Sequence, residues 1–303
     1  MIEQHFVLDC NFICHKSRFT TGDLSYKGVA TGTIFGFFNQ LLDLAESFSN
    51  RNLIFIWDSR KSFRKQVFPE YKGKRNKDLT EEEKKSLRDC YDQMELLYEE
   101  IIPSIGFSNN FRQTGLEGDD LMAKLVKSEN YFNYFFTLFA NDHDLYQLLG
   151  SRCNMMTKKG DMFVFYGEKD FVSEWGITPK EWIKVKQIAG CNSDEIPGCG
   201  RDKKDPKNII ARIGEKTARD YINGLLKPHT KSYKRIDSAE GKEIIDFNKQ
   251  LVELPHPRTK ELILKEDNLD IDVFEKVCKK YGFKEFLVER WDEWERFFNN
   301  DYN

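Results

Sequence analysis

Three apolar runs of this 303-residue chain end in aspartate. Phe6-Val7-Leu8 is followed by Asp9, Leu53–Trp57 by Asp58, and Phe136–Ala140 by Asn141-Asp142-His143-Asp144. A further acidic group, Glu117-Gly118-Asp119-Asp120, precedes the helical pattern Leu121–Lys127, and Asp194 sits within GCNSDEIPG (190–198). One strand-terminal aspartate is ordinarily a helix cap. Three in one chain, beside a fourth acidic cluster, point instead to carboxylates gathered at one place. Such carboxylates repel and stay together only if cations neutralise them. Mg2+ is the natural partner, because it binds through a few carboxylates and keeps several waters. Asp9, Asp58, Glu117, Asp119, Asp120, Asp142, Asp144 and Asp194 are more acids than one ion requires. Two ions ~3.5–4 Å apart fit better, and that arrangement suits in-line attack on a phosphodiester.

The second constellation is basic. Residues 60–77, RKSFRKQVFPEYKGKRNK, hold eight Lys or Arg and one acid, with Phe63, Phe68 and Tyr71 interleaved. Bases that track phosphates and aromatics that stack on nucleobases suit single-stranded nucleic acid. The competing reading is a solvated charge run; its place directly after an acidic strand end favours the first. Together the two features suggest a metal-dependent nuclease.

To hold these residues, the chain must bring several strand ends together. Phe6–Cys10, Leu53–Trp57, Phe135–Ala140 and Met162–Tyr166 have the short apolar character of buried parallel strands. Helical spacing over Thr33–Phe48, Glu81–Ile102 and Leu121–Lys127 lies between them. This alternation predicts an α/β domain with a mostly parallel sheet flanked by helices. In such sheets the site lies beyond the carboxyl ends of the strands. From about residue 179 the pattern turns helical and basic, with helices expected over Trp182–Ala189, Glu215–Leu225 and residues 268–298, and an exposed loop over 201–207. The expected division is a core over 1–178, a helical and basic region over 179–255 and a C-terminal helical region over 256–303.

The bulk numbers agree with this plan. Hydrophobic residues make up 40% and aromatics 14%, enough for a large core. A net charge of −3 excludes a uniformly basic DNA-coating protein but not segregated charge. Seven cysteines with no CxxC pair argue against structural zinc and for a reducing cytoplasm. Cys10 and Cys14 are expected as small core residues rather than ligands. The N-terminus has no signal-peptide pattern. No apolar stretch of ~18 residues is present, so no membrane span is expected.

Six segments now bear comparison with a known family: VLDCN (7–11), FPEYKGKR (68–75), LEGDDLMA (116–123), NDHDLYQLL (141–149), GCNSDEIPG (190–198) and IGEKTA (213–218). In this order, over residues 6–225, they resemble the flap endonuclease family, which includes phage 5′ nucleases and the 5′-exonuclease domain of bacterial DNA polymerase I. The resemblance implies a PIN-like core, a helical arch over about 60–105 that passes a 5′ single strand, and a helix–three-turn–helix that grips duplex DNA. It implies a first metal site of Asp9, Asp58, Glu117 and Asp119 with Asp120 nearby, and a second of Asp142, Asp144 and Asp194. Lys72 corresponds to the family lysine that reaches the scissile phosphate, and Arg75 to its basic neighbour. Arg64, Tyr71, Gly214 and Lys216 are expected to contact DNA. The implied activity is 5′-3′ exonuclease and flap endonuclease on DNA with a 5′ flap, overhang or nick, extending to RNA primers. Two Mg2+, with Mn2+ able to substitute, would serve it, in a stand-alone monomer acting in replication.

Three departures bear on that expectation. Cys191 replaces the first of two aspartates in the 190–198 motif; a soft thiol contributes little to hard Mg2+. A weakened second metal and a greater response to Mn2+ are expected. Arg212-Ile213-Gly214 replaces a Gly-hydrophobic-Gly hairpin, which speaks against the family's K+ site while leaving duplex contact through Gly214 and Lys216. Trp294 and Phe297-Phe298 are spaced like a sliding-clamp-binding peptide (291–298), although an amphipathic helix packing its aromatics inward explains them better. The alternative functions are a weakly catalytic branched-DNA-binding protein and a PIN-type ribonuclease.

Overall fold

The computed structural model describes residues 2–160, 162–202, 205 and 208–301. Its centre is a six-stranded sheet: β1 (Glu3–Asp9), β2 (Leu53–Ile56), β3 (Asn110–Phe111), β4 (Tyr134–Phe139), β5 (Cys153–Lys159) and β6 (Met162–Tyr166), in spatial order β3-β2-β1-β4-β5-β6. All pairs are parallel except β5–β6. The expected strands are present, with one correction. Met162–Tyr166 is an antiparallel edge strand, and its Met162, Val164 and Phe165 are exposed rather than buried. β3 and β5 escaped the sequence reading because one has two residues and the other mixes thiol, amide and lysine side chains.

The main helices are α1 (Cys10–Thr21), α2 (Gly32–Phe48), α3 (Glu81–Leu96), α4 (Gly118–Lys127), α5 (Pro179–Ala189), α6 (Glu215–Ile222), α7 (Ala239–Val252), α8 (Ile271–Tyr281) and α9 (Trp291–Asn299), with further short helical segments between them, Glu168–Trp175 among these. α3 opens on a capping box between Thr80 and Glu83 and runs into a π-helical turn, Leu97–Ile101. None of the helices among the described residues is long and apolar enough to cross a membrane.

Alternation along β1 sends side chains to opposite faces and so divides the core in two. Phe6 and Leu8 pack with α1, α2 and the C-terminal helices, whereas Val7 joins Ile54, Phe136 and Leu138 under α4 and α5. The C-terminal helices therefore share the main core. Trp294 and Phe297 are 1% and 0% exposed and pack on Phe38, Phe274 and Phe107. This is the inward-packing amphipathic helix preferred from the sequence over a clamp peptide: these aromatics are closed into the protein, each stabilising it by roughly 2–3 kcal/mol.

Register fixes where the acids fall. Asp9 pairs with Ile56, two residues before Asp58, and Leu8 pairs with Phe139, three residues before Asp142. All three aspartates leave the sheet at the same carboxyl edge. Of the loop expected over 201–207, residues 203, 204, 206 and 207 lie outside the described residues; Arg201 and Ile209 close its ends with a bridge.

Candidate metal centre and its basic cover

Asp9 is the N-cap of α1, its Oδ1 accepting from the Phe12 amide at 2.9 Å. The Asp58 amide donates to Asn11 Oδ1 (2.9 Å), and Asp58 Oδ1 accepts from the Gly118 amide (2.7 Å). The second bond ties the end of β2 to the start of α4. A side chain at position 118 would come within 3.2 Å of that oxygen, so glycine permits the approach. Asp142 Oδ1 accepts from the Asp144 amide at 2.8 Å, which turns the chain after β4.

The carboxylates feel one another. Burial, then the charges of Asp58 and Asp142, push Asp9 up to about 7. Burial drives Asp119 well above the carboxylate range, with Asp142, Asp9 and Asp58 adding to it. Asp58 reaches solvent, but the crowding of protein around it and the charge of Glu117 raise its carboxyl, against the pull of Lys72. Asp9, Asp58, Asp119 and Asp142 thus form one repulsive group, and Asp142 belongs with these three in the electrostatics. This is an oxygen donor set of the kind that hard divalent cations neutralise.

A second group stands beside it. One oxygen each from Asp144 and Asp194 and Sγ of Cys191 lie within 4.8 Å of one another. Cys191 pairs with Ile196 in a tight hairpin whose Gly190 has φ +72°, and a Cβ there would meet Ile196 O at 2.3 Å. The Cys191 thiol is pushed up by burial, which outweighs the opposing pull of Lys186. Lys186 on α5 is 4% exposed and bridges Asp144 (2.8 Å) and Glu215 (3.0 Å). The sequence reading missed it; the signal was a lysine at a helical position otherwise facing the core, one turn before the motif.

The basic segment folds down over both groups. Lys72 Nζ lies 3.0 Å from Glu117 Oε1, and its amide donates to Asp194 O at 3.0 Å. Arg75 reaches Asp194 at 2.8 Å, and Lys74 reaches Glu195 at 2.7 Å. Burial alone would lower the Lys72 ammonium, but Glu117 and Asp194 hold it up at about 12. Glu195, also missed, anchors this segment by accepting from the Lys74 amide at 2.6 Å.

Three expected site residues have other work. Arg64, 3% exposed, forks onto Asp120 through two bonds of 2.6 and 2.8 Å and donates to Leu251 O. It is buried away from any nucleic acid. Asp120, fully buried, also accepts from the amides of Glu117 (3.2 Å) and His256 (2.8 Å). Its oxygens are thereby committed to protein donors, which removes it from the metal ligands. Tyr71 is 2% exposed and donates to Glu117 Oε2 at 2.8 Å, with Asp194 Oδ2 3.3 Å away. It orients two carboxylates and has no free face for a base. By contrast Gly214 and Lys216, at the start of α6, are exposed. A cleft of about 740 Å3 runs from Asp142, Asp144 and Cys191 to Gly214 and Thr217.

The family model for the 5′-3′ exonuclease N-terminal resolvase-like domain matches residues 4–176. The 5′-3′ exonuclease of Mycoplasmopsis pulmonis is 25% identical over 305 residues, covering 94% of each chain. DNA polymerase I of Bacillus subtilis is 28% identical over 244 residues, 78% of this chain, which spans a quarter of the polymerase's length. Among solved structures, the bacteriophage T5 flap endonuclease with DNA and metal ions aligns at a TM-score of 0.66 and 22% identity. That match covers 84% of this chain and 90% of the phage chain. The flap endonuclease of Methanococcus jannaschii aligns at 0.51 and 11% identity, covering 99% and 92%. These two likenesses establish the shared PIN-like fold.

Proposed function

The chain belongs to the 5′-3′ exonuclease family, and from that premise we propose that it is a structure-specific 5′ nuclease acting on DNA. It would cleave at 5′ flaps, overhangs or nicks and leave a 5′-phosphate and a 3′-hydroxyl. The observation that carries the reading is the gathering of strand-end carboxylates directly beneath Lys72 and Arg75. Acids without the basic cover would suit many cation-binding proteins; a phosphodiester needs both.

Asp9, Asp58, Glu117 and Asp119 would hold one Mg2+, some of them through bound water, and Asp142, Asp144 and Asp194 a second divalent cation. Bound there, the ions would activate water and neutralise the phosphoryl oxygens. The remaining steps fall to the protein. Lys72 stays charged across the working pH range and is placed to leave Glu117 for the scissile phosphate. Arg75 can likewise exchange Asp194 for a phosphate oxygen. Tyr71 keeps Glu117 and Asp194 oriented as these cations move. Gly214, at the far end of the cleft, and the exposed Lys216 two residues on would offer a helix start and an ammonium to a duplex phosphate. In a cell this activity would remove primers and flaps during replication.

The test is cleavage of 5′-labelled flap, nicked and overhang DNA, with a matched RNA flap, in Mg2+ and in EDTA. Cleavage should require the cation and vanish in Asp142→Asn. Lys72→Ala should lower the single-turnover rate about 10²–10³-fold with flap binding retained, as expected for loss of one donor to the developing charge. Tight flap binding without cleavage by the wild type would instead establish a branched-DNA-binding protein. Preferential cleavage of the RNA flap would make it a ribonuclease.

A further inference from the structure

The geometry points to Cys191 as a thiolate donor that makes the second cation position a mixed sulfur–oxygen site, selective for thiophilic divalent ions such as Zn2+ and Co2+ over Mg2+. The inference rests on the nuclease reading only for the presence of a cation there; the donor set is this chain's own.

The three donors come from separate parts of the chain. Asp144 follows β4, Cys191 lies in one arm of the 190–198 hairpin and Asp194 in its turn. Their ligand atoms lie within 4.8 Å of one another. Donors around a tetrahedral ion at ~2.0–2.3 Å are about 3.3–3.7 Å apart, so side-chain adjustments on the order of 1 Å close the site. The hairpin is held by the Cys191–Ile196 pairing and by Asn248, which donates to Pro197 O at 2.9 Å. Sulfur therefore meets the carboxylates on a fixed frame.

Donor chemistry then decides the ion. Mg2+ demands near-octahedral oxygen and gains little from sulfur, whereas Zn2+ takes both thiolate and carboxylate as ligands. The Ser193 hydroxyl, 3.0 Å from Sγ, can donate to an anionic sulfur, and the Lys186 ammonium adds positive charge on the Asp144 side. On binding, the thiol proton leaves to solvent and a sulfur–metal bond replaces S–H. Lys186 and Arg75, each 2.8 Å from a site carboxylate, must share or release those oxygens. The other six cysteines are buried, so Cys191 is the one thiol with solvent access.

The full-length protein, reduced and stripped of metal by chelation, is titrated with Co2+. The expected result is a near-ultraviolet thiolate-to-cobalt charge-transfer band saturating at about one equivalent. Zn2+ should abolish the band, and a large excess of Mg2+ should not. Cys191→Ser should lack the band and bind Co2+ at least about tenfold more weakly, since even a supporting partner of a metal ligand is worth that much. In the wild type, Zn2+ but not Mg2+ should slow alkylation of Cys191 by iodoacetamide, read by mass spectrometry. Absence of the band, its survival in Cys191→Ser, or equal protection by Mg2+ would overturn the inference. Flap cleavage in Mg2+ is scored separately. Cleavage without the band defeats the thiolate site alone, and the band without cleavage defeats the nuclease reading alone.

Discussion

Asp9→Asn should stabilise the metal-free protein while removing much of its response to divalent cations. The Asp9 carboxyl is raised from 3.8 to about 7 in the fold, by burial first and by Asp58 and Asp142 next. Below about pH 4, folded and unfolded chains both keep the proton, and the carboxyl costs nothing. As pH rises from about 4 to 7 the unfolded chain ionises first, so the wild type loses stability through that window and the loss levels off above it. A gap of about 3 pKa units corresponds to ~4 kcal/mol. Burial leads this rise, and Asp9 titrates together with Asp58 and Asp142, so only on the order of half of it, ~2 kcal/mol, is taken for Asp9 alone.

The amide keeps the local structure. Asn caps helices as well as Asp does, and its oxygen can accept the Phe12 amide as the carboxylate does at 2.9 Å. With an unfolding entropy of ~2.1 cal/mol/K per residue, a chain of this length gains about 3 °C in Tm for ~2 kcal/mol. Thermal melts in EDTA from about pH 5 to pH 8.5 measure it. The variant should gain on the wild type as pH rises, reaching about 3 °C near pH 8, and Mg2+ should then raise the wild type far more than the variant. A variant less stable than the wild type at pH 8 in EDTA, or a gap that does not change with pH, would refute the reasoning.

Two further outcomes test the residues whose roles the structure revised. Arg64→Ala should cost about 3–5 kcal/mol in urea unfolding, because Asp120 is left buried without its partner; lost flap binding at unchanged stability would return Arg64 to the DNA surface. Trp294→Ala should cost about 3–5 kcal/mol as a core truncation, and an unchanged melting curve would show that the C-terminal aromatics are not core residues.

How much of this was legible in the sequence follows from what each feature depends on. Strand ends were legible because an apolar run stopping at aspartate is a local pattern, and parallel register then carries Asp9, Asp58 and Asp142 to one edge. The α4 boundary was misplaced by three residues, since Asp120 closes the helix start by accepting from the Glu117 amide with a side chain that the sequence offered equally as a ligand. The same ambiguity governs the basic segment. Its eight cations looked alike in the sequence, yet the fold divides them by partner. Arg64 is committed to Asp120, Lys72 and Arg75 to the site acids, and Lys74 to Glu195. Those partners lie about 45 to 125 positions away, so no local pattern could have sorted them. The division has a functional consequence. A lysine resting on a carboxylate is neutralised until something more negative competes for it. Lys72 and Arg75 therefore hold the metal-free acids together and, in the proposed reaction, would be drawn to phosphate once cations take over those acids. One set of charges would thus stabilise the empty site and serve the filled one.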